Sequence, residues 1–182
     1  MEDYAYILDY LAQGLPEEKK FKREPIAYAI GESEFKLLEL IPKEGAIINI
    51  GDRVYIGKET EKREKILHVK RRISYTDLTN AAQSELPFIL ENIVLKNEPF
   101  FVKFFNECGA ISFRQHVLEL LPGLGKKTMT TVLDERKKRP FTSFKDIEER
   151  VPNLRNPVKL ITKRIEIELS EPSEKYHLFV RK

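Results

Sequence analysis

Over roughly the first seventy-five residues, apolar and polar side chains alternate with the period of two expected of half-buried strands. In "YAYILDYL" (4–11), Tyr4, Tyr6, Leu8 and Tyr10 fall on one face and Ala5, Ile7, Asp9 and Leu11 on the other. "PIAYAI" and "FKLLELI" flank Gly31-Glu32-Ser33-Glu34, a natural hairpin connection. "RVYIG" and "KILHVKRRISY" supply two further extended runs, separated by the charged loop Lys58 to Glu64. Short strands with turn-rich connections predict a small β-barrel of oligonucleotide-binding (OB) or SH3-like type. "PEEKKFKRE" (16–24) reads as an exposed loop inserted in it. The tyrosine face of the first strand fits core and cross-strand packing better than a platform for stacking bases.

After about Ser74 the period lengthens to that of helices. Pro87 is placed to open a helix carrying Phe88, Ile89, Ile93 and Val94, and "PFFVKFF" continues with an aromatic face. Phe100, Phe101, Phe104 and Phe105 at helical spacing are expected to be core. Ser112 with Gln115 forms a capping-box start for "FRQHVLELL", and Ser143 with Asp146 does the same for "FKDIEERV". Asn156-Pro157 fits an N-cap and first helical position for "VKLITKRIEIEL". Sliding the chain by thirty residues (151 − 121 = 30) lays "VPNLRNPVKLI" over "LPGLGKKTMTT", with Leu121 on Val151, Pro122 on Pro152 and Leu124 on Leu154. Each copy is preceded by a short capped helix and followed by a longer one. The expected fold is therefore α+β: a small N-terminal β-barrel (1–75), connecting helices (76–110), an all-α tandem helix-hairpin-helix segment (111–169) and a C-terminal tail (170–182) that docks or adds a strand.

The 182 residues are 41% hydrophobic, enough to pack a core as one domain or two small ones. No run approaches the roughly 18 to 20 apolar residues of a membrane helix. The N-terminus lacks the basic start and apolar run of a secretion signal. A membrane partner is thus not expected, and a cytoplasmic location is. The single cysteine, Cys108, excludes an internal disulfide and a multi-cysteine zinc site. His68, His116 and His177 show no paired ligand spacing, so no metal centre is predicted. A net charge of +3 is too mild to imply a polyanionic partner by itself; its distribution decides more.

That distribution singles out "LPGLGKKTM" (121–129). Glycine takes positive φ without steric cost, and Gly123 and Gly125 keep side chains away from the backbone between two helices. The N–H groups of the next helix are unpaired in its first turn and lie at the positive end of its dipole. Lys126 and Lys127 add full charge at the same place. The combination is a phosphate site that needs no base-reading side chain. The stretch resembles the helix-hairpin-helix motif of DNA-repair and recombination proteins. The resemblance implies contacts to a duplex backbone from Gly123, Leu124, Gly125 and the amides of Lys126, Lys127 and Thr128. Met129 departs from it, standing where the motif usually has a small residue. The second copy, Pro152 to Asn156, departs further, with Asn153 and Arg155 in the glycine positions. There Asn153 tolerates positive φ and Arg155 offers a phosphate fork. Hairpin carbonyls in some relatives hold a monovalent cation; no other cofactor is implied. The whole chain, including "HVKRRISY" and "YHLF", is similar to domain-of-unknown-function family 655. This is an uncharacterised archaeal family with a barrel and a tandem hairpin, predicted to bind nucleic acid.

Two further basic groups join the candidate surface. Lys137, Lys138 and Arg139 fall a few turns beyond the hairpin, within reach of a neighbouring phosphate or simply at a solvated helix end. His68, Lys70 and Arg72 are expected on one face of an edge strand, as a second electrostatic contact or a guard against edge pairing. The expected function is non-catalytic, largely sequence-independent binding to duplex DNA, with RNA of the ribosome or transfer RNA as the rival partner. A glycosylase/lyase reading exists because Asp146 lies nineteen residues beyond Lys127 (146 − 127 = 19). It lacks the glycine-rich segment before that aspartate and the helices of a base-flipping cleft. A protein-interaction module is the third reading, and the oligomeric state is not legible.

Overall fold

A computed structural model describes residues 1–182, the side chain of Lys22 excepted. The fold is mixed α+β: five strands in one curled antiparallel sheet, a small separate hairpin, and five α-helices. The chain divides into two compact units, Met1–Ile89 with Ile167–Lys182, and Leu90–Glu166.

In the first unit the strands are β1 (Tyr4–Leu11), β2 (Ile26–Gly31), β3 (Leu37–Pro42), β4 (Arg53–Tyr55) and β5 (Ile66–Arg72). Their order across the sheet is β4-β1-β2-β3-β5, each pair antiparallel. One face is the packed layer of Ala5, Ile7, Ala27, Ala29, Leu38, Leu40, Ile48, Val54, Ile56 and Ile66. β2 and β3 are buried along their whole length, so Tyr6, Tyr28, Ile30 and Ile41 on the other face are also out of water. Each such aliphatic contributes about 1.5–3 kcal/mol relative to exposure. Burial is the main cause that raises the Tyr28 hydroxyl above its usual pKa, with the Glu39 charge adding to it.

Two strands break the simple alternation. β1 slips between Ile7 and Asp9, so Tyr10 pairs with Ala27 and packs on the Ala5–Ile7 face rather than beside Tyr6. A bulge opposes two residues to one and exchanges the faces beyond it. β5 slips twice, leaving Arg72 opposite Leu38, Arg71 opposite Glu39 and His68 opposite Ile41. The expected common face of His68, Lys70 and Arg72 does not exist: His68 and Arg72 lie on opposite sides.

Both chain ends are anchored by buried carboxylates in this unit. Glu2 accepts from Ser33 N (2.9 Å), Ser33 Oγ (2.6 Å) and Glu34 N (2.7 Å), closing the β2–β3 connection. Gly31 leaves room for that carboxylate, since a Cβ there would overlap the Glu2 side chain. Glu168 accepts from Leu178 N (2.7 Å), Phe179 N (3.0 Å) and Val180 N (2.9 Å). The tail therefore docks through Phe179 and Val180 without becoming a strand, and Arg181 N donates to Glu34 O.

Helix α1 (Asn80–Lys96) runs across the boundary into the second unit. It starts well before Pro87, which lies inside it; Thr79 is the residue before it, its Oγ1 accepting from Ala82 N at 3.1 Å. The early start follows from that cap and from Asp9, which accepts the Thr79 hydroxyl at 2.6 Å. The second unit continues with α2 (Glu98–Glu107), the hairpin β6 (Ala110–Ser112) and β7 (Gln115–His116), and a 3₁₀ turn at Val117–Leu120. Then come α3 (Lys126–Lys138), α4 (Phe144–Arg150) and α5 (Pro157–Ser170), the last returning across the boundary. In α2, Phe101 and Phe105 are buried, Phe104 is half-buried and Phe100 is exposed.

The helix expected from Ser112 is absent. Ser112 Oγ instead accepts from Arg114 N (3.3 Å), two residues on, which closes a hairpin tip rather than a helix. The reciprocal box forms later: His116 Nδ1 accepts from Leu118 N (3.1 Å) while Glu119 accepts from His116 N (3.0 Å). The Asn156 cap forms as read, and the Ser143 box forms by half, because the Asp146 carboxylate accepts from Thr142 N rather than from Ser143 N. Ser143 Oγ accepts from Asp146 N (2.9 Å), and Asn156 Oδ1 from Lys159 N (3.1 Å).

Candidate nucleic-acid interface

The turn Leu121–Gly125 hangs on two buried aliphatics. Leu121 and Leu124 are inside, and Leu124 N donates to Leu121 O at 3.1 Å. Between them Gly123 is exposed at φ +89°, a conformation a side chain disfavours. Gly125 occupies the N-cap of α3 and supplies no side chain to it; Met129 N closes the first helical bond on Gly125 O at 2.9 Å. The amides of Lys126, Lys127 and Thr128 therefore point out of a helix end with no side-chain acceptor and no acid in its first turn. Lys126 and Lys127 are exposed and, among the described residues, paired with no carboxylate. Leu124 anchors the turn, with its side chain buried and its amide donating to Leu121 O.

The copy thirty residues on repeats the scaffold. Val151 and Leu154 are buried, and Leu154 N donates to Val151 O at 2.9 Å. Its outer surface differs. Positive φ falls on Asn156 (+54°), not on Asn153. Asn156 N already donates to Glu148 Oε1 at 2.8 Å, and the Asn156 side chain caps α5. Arg155 is exposed beside an amide that a carboxylate already occupies.

Of the basic residues ending α3, Lys137 alone is exposed without an ion pair among the described residues. Lys138 bonds Glu135, and Arg139 lies 3.6 Å from Asp146. Arg150 ties this corner together, reaching Glu135 (3.4 Å), Asp146 (3.1 Å) and the carbonyl of Arg139 (2.8 Å), and lying over the Phe141 ring. The Lys138 hydrogen bond is the main cause holding Glu135 below the usual carboxylate range. Burial pushes Asp146 upward, but the Thr142 amide and the Arg150 guanidinium together prevail and hold it below that range.

The remaining candidates belong to the other unit. Lys70 sits between Glu24 and Glu39, 3.2 Å from each, and Arg72 donates to Arg181 O at 2.7 Å. These groups hold the sheet and the tail; only His68 is exposed without such a role. Two residues that sequence reasoning missed are Phe113 and Arg114, which a helical reading of 112–120 hides within a first turn. They form the tip of the β6–β7 hairpin instead. No helix among the described residues is long and apolar enough to cross a membrane.

The family model described as "Protein of unknown function (DUF655)" matches residues 1–181. The chain belongs to the DUF655 family. It is 49% identical over 181 residues to the uncharacterized protein MJ0038 of Methanocaldococcus jannaschii, covering 99% of this chain and 80% of that one. It is also similar to the crystal structure of Af1531 from Archaeoglobus fulgidus, with a TM-score of 0.92 and 47% identity over 99% of this chain and 100% of the other.

Proposed function

We propose that this DUF655 protein binds duplex DNA without catalysis, gripping the phosphate backbone through Gly123, Gly125 and the first turn of α3 with little regard to sequence. One observation carries the reading: the Leu121–Gly125 turn offers amides with no side-chain cap and two ammonium groups without an ion pair among the described residues at one exposed place, whereas side-chain oxygens cap the starts of α1, α4 and α5. On this reading the turn and its flanking elements are a helix-hairpin-helix unit whose leading helix is reduced to a 3₁₀ turn. The Val151–Asn156 copy is its structural partner. The curled sheet is an OB- or SH3-like half-barrel. Asp146 is engaged by Thr142, Arg139 and Arg150, which leaves a lyase chemistry without its free carboxylate.

Fluorescence anisotropy with random-sequence duplexes tests the reading. Each neutralised phosphate adds about −0.9 to the slope of log affinity against log salt, independent of sequence. Binding that is missing at low salt, or indifferent to salt, defeats it. Competition with single strands and duplex RNA at fixed salt separates DNA from RNA, and a tenfold preference for RNA would transfer the grip to that partner.

A further inference from the structure

We propose that Phe113, at the tip of the β6–β7 hairpin, is a wedge that enters the base stack of duplex DNA beside the gripped phosphates, with Arg114 on the adjoining backbone. The inference rests on the duplex-binding reading of the Leu121–Gly125 turn.

Phe113 is 105% exposed, so folding removes none of its ring from water. The tip that carries it is braced. Ala110 pairs with His116 and Ser112 with Gln115, Ser112 Oγ accepts from Arg114 N, and Val117 N donates to Gly109 O at 3.0 Å. At the root of the hairpin, Arg136 Nη1 donates to Phe105 O (3.1 Å) and Cys108 O (2.7 Å). Arg136 belongs to α3, the helix whose first turn forms the proposed grip, so one rigid element fixes both features. The backbone under the ring is fixed in this way, so insertion orders only the ring's own two torsions.

Spacing and charge favour a nucleic acid as the occupant. Phe113 and Gly123 are ten residues apart (123 − 113 = 10), so chain length keeps them within about 35 Å, roughly one turn of duplex. Arg114 is exposed and, among the described residues, in no ion pair. In the chain the ring is flanked by exposed Ser112 and Arg114, a polar and a cationic neighbour. Single apolar side chains beside cationic groups enter base steps and unstack them.

The test uses the full chain and a short random-sequence duplex with 2-aminopurine at its centre, reading anisotropy and base fluorescence together. The wild type should bind and raise the fluorescence as the base unstacks. Phe113→Ala should keep the wild-type melting temperature, lose about fivefold or more in affinity and abolish the rise. Phe113→Trp should restore affinity. Arg114→Gln should flatten the salt slope by about 0.9. A rise that survives Phe113→Ala, or binding by the wild type with silent fluorescence, overturns the wedge and leaves the grip standing. Failure of the wild type to bind any duplex overturns both.

Discussion

The two turns at Leu121–Gly125 and Val151–Asn156 share a frame and differ in what they show to water. Both bury two aliphatics three residues apart, and both close with an amide of the second donating to the carbonyl of the first. The first then ends in glycine, leaves its helix uncapped and follows with two free lysines. The second places a carboxylate on its outermost amide and a side-chain cap on its helix. The contrast teaches that a duplicated scaffold keeps its interior for stability while its outer amides go to an internal acid in one copy and remain open in the other. Glu148 occupies in the second turn the kind of position a phosphate oxygen would take in the first.

The comparison breaks most sharply at the lysines. On the proposed grip, replacing Lys126 and Lys127 with glutamine would remove two phosphate contacts, so duplex affinity should fall roughly 50- to 100-fold near 0.1 M salt. The salt slope should flatten by about 1.8 for every sequence tested. Lys159→Gln, outside the first turn, should do far less, and equal losses at both would erase the distinction. The next effect is on stability. Gly123→Ala meets only Leu160 at 3.6 Å, so its cost is the backbone at φ +89°, about 1–2 kcal/mol by thermal or urea melts. Asn153→Ala, at the matching place in the other copy, should stay within about 0.5 kcal/mol because nothing there demands positive φ.

Opening the second turn gives a smaller change of opposite sign. Glu148→Gln withdraws a charge from the Asn156 amide, and duplex affinity should rise up to about eightfold near 0.1 M salt, the value of one added phosphate contact. An unchanged affinity would mean that backbone shape, rather than the acid, closes this copy. The smallest effect is in pH. His116 caps the approach to the first turn, and burial first, then the Arg136 charge, hold its pKa below the usual 6.5. The unfolded chain takes that proton first, so the stability from this group is full above about pH 6.5 and is lost as the pH falls below it. Protonated Nδ1 also can no longer accept from Leu118 N. Melting temperature should fall between pH 7.5 and 5, and His116→Asn should flatten that trend. The Ser143 cap of the second copy does not titrate in this range.

Much of the first unit was legible. The five strands lie within a few residues of where alternation puts them, because pleated sheets demand a period of two wherever a face is buried. What was not legible were the bulges in β1 and β5. A slip of one residue costs little locally and is decided by the neighbouring strands, so Tyr10 and Arg72 changed sides without a signal of their own. The helix expected at Ser112 failed for a related reason. Its hydroxyl serves a hairpin tip as readily as a helix start, and His116, an uncommon cap, made the choice four residues later. The exposed wedge candidate Phe113 was hidden by that misreading.

By itself, the amino-acid order determined the sheet's strands, the caps at Ser143 and Asn156, and the thirty-residue echo that locates both turns. These follow from short-range rules: side-chain period, glycine's freedom and the reach of small polar side chains to nearby amides. The tertiary structure alone decided which amides and which cations remain available. Glu148 reaches forward eight residues to one turn, Glu39 pairs with Lys70 and Arg71 across strands, and Glu168 gathers the tail. Charges act through space rather than along the chain, so only the folded arrangement distinguishes the lysines that are neutralised from those that face the solvent.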